Sequence, residues 1–88
     1  MKILRITEVK LATGHRSHAS IYEAIKAGLF TKPVSIGLRS VGWPEVEVFA
    51  INAARIAGHT TEQLQQFVSY LEGQRQHALL PYCSKEAA

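Results

Sequence analysis

The residues best able to do chemistry in this chain lie between Thr13 and Phe30. His15, Arg16, Ser17, His18 and Ser20 crowd the front of a short segment with an apolar stripe. Three chemistries could use such a cluster: metal binding, nucleophilic or acid–base catalysis, and recognition of an anionic surface.

Metal binding lacks ligands. His15 and His18 are three positions apart and could share a helix face, but Glu23 is five positions further on, and His59 and His77 are remote in sequence. A catalytic zinc needs three protein ligands and a structural zinc four, usually with cysteines. Catalysis lacks partners. Ser17 and Ser20 have no aspartate to complete a relay, because the chain contains none, and Cys83 lies far from every histidine. Glu23 and His18 could be drawn as an acid–base pair, but so short a chain has little room for a pocket. No glycine-rich loop follows a strand to cradle a phosphate. The expectation is a protein with no catalytic residue, no cofactor and no metal: not an enzyme.

Recognition of nucleic acid uses these residue types directly. Arginine grips the guanine O6 and N7 edge, serine and histidine bond phosphates or base edges, and a helix N-terminus attracts phosphate through its free N–H groups. Each residue also has a plainer reading. Arg16 could be an ordinary surface arginine, Ser17 a helix cap, and Tyr22 a core ring with its hydroxyl outward. Charge favours the nucleic-acid reading. Residues 1–43 hold Lys2, Arg5, Lys10, Arg16, Lys26, Lys32 and Arg39 against Glu8 and Glu23 alone; the rest of the chain has five glutamates and three basic residues. A basic front half within a net charge of +3 points to a polyanion partner.

The frame for these residues is small. At 88 residues and 47% hydrophobic content, the chain suits one globular domain with a modest core. A single cysteine excludes an internal disulfide and suits a reducing compartment. The first nine residues lack the apolar region of a signal peptide, and no apolar run approaches the ~18 residues of a membrane span. A cytoplasmic protein with no membrane partner is expected.

The elements follow from spacing. Ile6 to Ala12 predicts a short helix with Thr7 as N-cap, closed by Thr13-Gly14. Ser17 caps a second helix, whose Ile21, Ala24 and Ile25 form an inward stripe and which Gly28 stops. Val34 to Trp43 predicts a β-hairpin with Leu38, Arg39 and Ser40 near its tip. Pro44 opens a third helix with Glu45 and Glu47 in its first turn. Its main stripe is Val46, Phe49, Ala50, Ala53 and Ala57, with Val48 and Ile51 to the side. Gly58-His59 breaks it. Thr60 and Gln63 have capping-box spacing for a last helix, whose stripe of Leu64, Phe67, Val68 and Leu71 is expected to pack on Val48 and Ile51 within one chain. Residues 1–57 thus read as a DNA-binding unit, 58–76 as an added C-terminal helix and 77–88 as a flexible tail.

Leu4-Arg5, Glu8-Val9, Thr13-Gly14, Arg16-Ser17, Ser20-Ile21-Tyr22, Gly28, Phe30, Pro33-Val34, Gly37, Arg39, Val41 through Trp43 and Glu47-Val48 together resemble the AlpA family of phage and prophage regulators. That family is similar in fold to excisionases and to the DNA-binding domain of MerR proteins. The resemblance covers residues 2 to about 57 and implies a mainly α winged helix-turn-helix with a small β-hairpin, carrying here a further C-terminal helix. It implies a sequence-specific regulator bound to double-stranded DNA, or an excisionase acting with an integrase. RNA polymerase or an integrase would be the protein partner, and the chain a monomer or weak homodimer. A non-DNA adaptor using the stripe of residues 64–71 is the reading from a different class. The DNA-binding residues expected are His15, Arg16, Ser17, His18, Ser20, Tyr22, Lys26, Lys32, Arg39 and Ser40. The chain departs from the family's usual Gly-Leu-Ser-Arg-Ser-Thr-Ile-Tyr by one extra residue between Gly14 and Ile21, and Glu23 stands where the family often has a basic residue.

Overall fold

Ile3–Leu4 forms a two-residue strand (β1) that the sequence pattern did not show. It pairs antiparallel with β3 (Ser40–Pro44), Ile3 opposite Pro44 and Leu4 opposite Trp43. β2 (Val34–Gly37) pairs with the other edge of β3, so the expected hairpin is two strands of a three-stranded antiparallel sheet in the order β1-β3-β2. Gly42 permits this. A Cβ there would lie 2.5 Å from Ile3 Cγ2 and 2.9 Å from the Leu4 carbonyl oxygen, so any larger residue would push β1 off the sheet. The computed structural model describes residues 2–79; most of the expected tail, residues 80–88, lies outside them.

α1 (Ile6–Thr13) and α2 (His18–Lys26) are joined by a tight turn. Thr7 is not the α1 cap. Arg5 holds that position, its backbone N–H donating to Glu8 Oε1 at 3.1 Å, because β1 delivers the chain into the helix two residues earlier. Gly14 closes α1 in the left-handed region, at φ 76°. Ser17 caps α2 as expected: its Oγ accepts from the Ser20 N–H at 3.2 Å.

α3 (Glu45–Ile56) starts directly from β3, with Pro44 as its N-cap rather than its first helical residue. Its inward face also differs from the expected one. Glu47, Val48, Ile51 and Ala54 are buried, whereas Val46 and Phe49 are about half exposed. α4 (Thr61–Gln74) begins at the Thr60–Gln63 capping box and continues past Gly73 into a 3-10 helix, Arg75–Leu79. Leu64 and Val68 join Val48 and Ile51 in the core, with Phe67 and Leu71 packed against it. The stripe that an adaptor would have used is therefore occupied by the chain's own α3.

One core gathers Leu4, Val9, Ile21, Phe30, Trp43, Val48, Ile51, Leu64 and Val68. Trp43 has no solvent exposure and sits where the hairpin meets the helices. The whole is mainly helical with a small sheet: α1 and α2 form a helix-turn-helix, β2 and β3 the wing.

Candidate nucleic-acid interface

The cap and stripe of α2 decide which of its side chains face out. With Ile21 fully buried and Ala24 and Ile25 half-buried, His18, Ala19, Tyr22, Glu23 and Lys26 lie on the exposed face, and Arg16 and Ser17 are exposed just ahead of it. His18, Tyr22 and Lys26 are spaced four apart, one above the next. Tyr22 is 45% exposed, yet its ring centroid lies 6.3 Å from that of Trp43, so its inner edge packs while its outer edge remains free.

His15 and Ser20 belong to a different arrangement. His15 Nδ1 lies 3.0 Å from Ser20 Oγ, and the His15 ring meets Phe30 edge-on at 6.4 Å. The Ser20 hydroxyl also donates to the Ser17 carbonyl at 2.9 Å. The two side chains thus brace the turn against α2, and neither is exposed. Burial, and secondarily the charge of Arg55, hold the His15 pKa below the usual imidazole value. His15 therefore stays neutral more readily than a free histidine, which suits a packed ring better than a phosphate clamp. Arg55, at the end of α3, thereby adds a cation beside the turn. Sequence gave no sign of this, because Arg55 lies forty positions away.

The wing and its base hold the remaining candidates. Lys32 and Arg39 are exposed; Ser40 is half-buried and pairs with Gly37 across the hairpin. Arg39 occupies the left-handed region, φ 65°, in the two-residue turn with Leu38. The pairing register shifts between Ser35 and Gly37, just before that tip.

α4 braces both parts. Gln65 Nε2 donates to the Ala27 carbonyl at the C-terminal end of α2, at 2.9 Å. Near the other end of α4, the Lys32 N–H donates to Glu72 Oε2 at 2.8 Å. The Arg75 guanidinium grips both carboxylate oxygens of the buried Glu47 at 2.8 Å and also donates to the Lys32 carbonyl. This hydrogen bond to Glu47 raises the Arg75 pKa further. Sequence spacing had placed Glu47 only as a first-turn carboxylate.

Residues 2–50 match the family described as Prophage CP4-57 regulatory protein (AlpA). The chain belongs to the AlpA family. The match spans β1, the helix-turn-helix, the wing and the first half of α3; α4 lies beyond it. The AlpA-family chain is also 44% identical over 57 residues to Uncharacterized protein ORF88 of Enterobacteria phage P4, an alignment that covers 65% of this chain and 64% of that protein. The chain thus matches less than two thirds of that relative's length. No solved structure matches it. Among the described residues, no helix is long and apolar enough to cross a membrane, and no three His, Cys, Asp or Glu side chains cluster as metal ligands would.

Proposed function

We propose that this AlpA-family chain is a sequence-specific, double-stranded DNA-binding transcriptional regulator of a phage, prophage or other integrated element, acting in the cytoplasm. The observation that carries this is the outward face of α2. His18, Tyr22 and Lys26 stand exposed on a Ser17-capped helix whose opposite face is locked into the core, and Arg16 stands exposed just ahead of its cap. Such a helix fits the major groove, with its N-terminal side chains at base edges. Lys32 and Arg39 extend the cationic surface to the wing. Ser17 and the first amides of α2 face the same surface and can meet a phosphate. His15 and Ser20 orient this face from behind. Ser40 supports the wing beside Arg39.

Salt dependence gives a first test. If about four of Lys10, Arg16, Lys26, Lys32 and Arg39 meet phosphates, log affinity should fall against log salt with a slope of about −3.6. Titrating a labelled duplex at several salt concentrations measures it, and affinity independent of salt would refute the electrostatic footprint.

A second test separates reading from holding. Arg16→Ala is expected to weaken the cognate duplex roughly tenfold to a hundredfold and a scrambled duplex much less. Arg39→Ala should weaken both more evenly and make the salt slope shallower by about one unit. The cognate duplex comes from footprinting the DNA beside the chain's own gene. Equal losses for Arg16→Ala on both duplexes would make it a phosphate clamp and pass base reading to His18.

A further inference from the structure

Leu38 is 94% exposed, the most exposed of the large apolar side chains among the described residues. It stands at the apex of the wing, between Gly37 and Ser40, which pair across the hairpin. Nothing in the fold touches it closely enough to bury it, so folding does not account for an apolar side chain there. Its neighbour occupies the turn position that requires a positive φ. Arg39 holds φ 65°, a conformation that glycine or asparagine adopts with less strain. The tip therefore presents an uncovered apolar side chain and a cation together, on a short paired hairpin rooted at the fully buried Trp43.

The surrounding charge selects the partner. Between Glu23 and Glu45 the chain has no acidic residue, while Lys26, Lys32 and Arg39 all lie in that stretch and are exposed. An apolar partner surface on a protein would leave these cations without counter-charges. A DNA minor groove satisfies both features, because its walls are phosphates and its floor exposes base-pair steps into which apolar side chains can wedge.

Resting on the DNA-binding reading above, we propose that the wing tip is a minor-groove wedge. Leu38 enters between two base pairs and partly unstacks them, while Arg39 holds the groove beside it. The duplex bends away from the wing, toward the major groove where α2 lies. The minor groove, about 6 Å wide, admits a hairpin tip but not a helix. Flexible pyrimidine–purine steps such as TA yield most readily, so the wing would favour them without reading base edges.

The test uses the full chain and a duplex of about 30 base pairs, a length whose bending is measurable, recovered by the wild-type protein from a random pool. The duplex carries a fluorophore pair at its ends and, in separate copies, 2-aminopurine at successive steps. Wild-type protein is expected to bring the ends closer and to raise 2-aminopurine emission at one step beside the wing. Leu38→Ala should still bind, with the same melting temperature, but lose the emission rise and most of the end-to-end shortening. Leu38→Phe should restore both. Equal bending and emission for wild type and Leu38→Ala would overturn the wedge, as would wild-type binding with neither signal; in both cases the DNA-binding reading would stand. Failure to recover any bound duplex would overturn that reading and the wedge with it.

Discussion

Arg75→Ala is expected to destabilise the fold by about 3 kcal/mol, the low end of the cost of breaking a buried ion pair. Arg75 is bidentate to Glu47, whose side chain is only 6% exposed, against 24% for the arginine. Removing the guanidinium leaves a carboxylate in the core with no cation, and it also frees the Lys32 carbonyl. The partial exposure of Arg75 lets some water reach the site, which is why the low end applies. The pair itself adds little net stability, since desolvating both ions offsets much of their attraction. Arg75→Met with Glu47→Leu should therefore recover most of the loss. Urea denaturation of the single and double variants measures this, and a single variant as stable as wild type would show that Glu47 reaches solvent unaided. DNA affinity adds a second readout. Because Arg75 and Glu72 hold Lys32 at the base of the wing, the folded Arg75→Ala chain should lose wing contacts before it loses those of α2.

The same ion pair explains where sequence reading stopped. Caps are local: Ser17 finds Ser20, and Thr60 finds Gln63, within one turn, so their residue types disclosed both helix starts. The phase of α3 is not local. Val46, Phe49, Ala50, Ala53 and Ala57 form an apolar stripe at helical spacing as regular as Val48, Ile51 and Ala54. Glu47 lies beside the second set and reads from sequence only as a first-turn carboxylate. Its counter-ion lies 28 positions later in sequence, so nothing near α3 reveals that this carboxylate can be buried. β1 was hidden in a similar way, because two residues cannot show alternation. The signal for it was Gly42, a glycine inside a strand, which marks a close backbone approach. At the candidate interface, the outward face of α2 was legible from its stripe. The inward turn of His15 toward Ser20 was not, since its ring packs on Phe30, fifteen positions later in sequence.

Trp43→Ala should have the largest effect, about 3–5 kcal/mol, a large fraction of the stability of so small a domain. The ring is wholly buried, with Phe30 at 6.2 Å and Tyr22 at 6.3 Å between centroids. Its indole N–H donates to the Thr31 carbonyl at 2.9 Å, and Thr31 is itself fully buried. Alanine would leave a cavity where the wing, α2 and β1 converge, and a buried carbonyl without a donor. Trp43→Phe separates these two losses. It fills most of the space but cannot donate, so its cost should fall to about 1–3 kcal/mol, the penalty for an unsatisfied buried polar group. Denaturant midpoints for both variants decide the matter, provided that the slope with denaturant is unchanged. Near-equal losses would assign the stability to the hydrogen bond, and a Trp43→Phe chain as stable as wild type would assign it to volume alone. Because Tyr22 packs on this ring from α2, the alanine variant should also loosen the face that carries Arg16, His18 and Lys26. On the DNA-binding function proposed above, its residual folded fraction should then bind DNA less selectively than wild type.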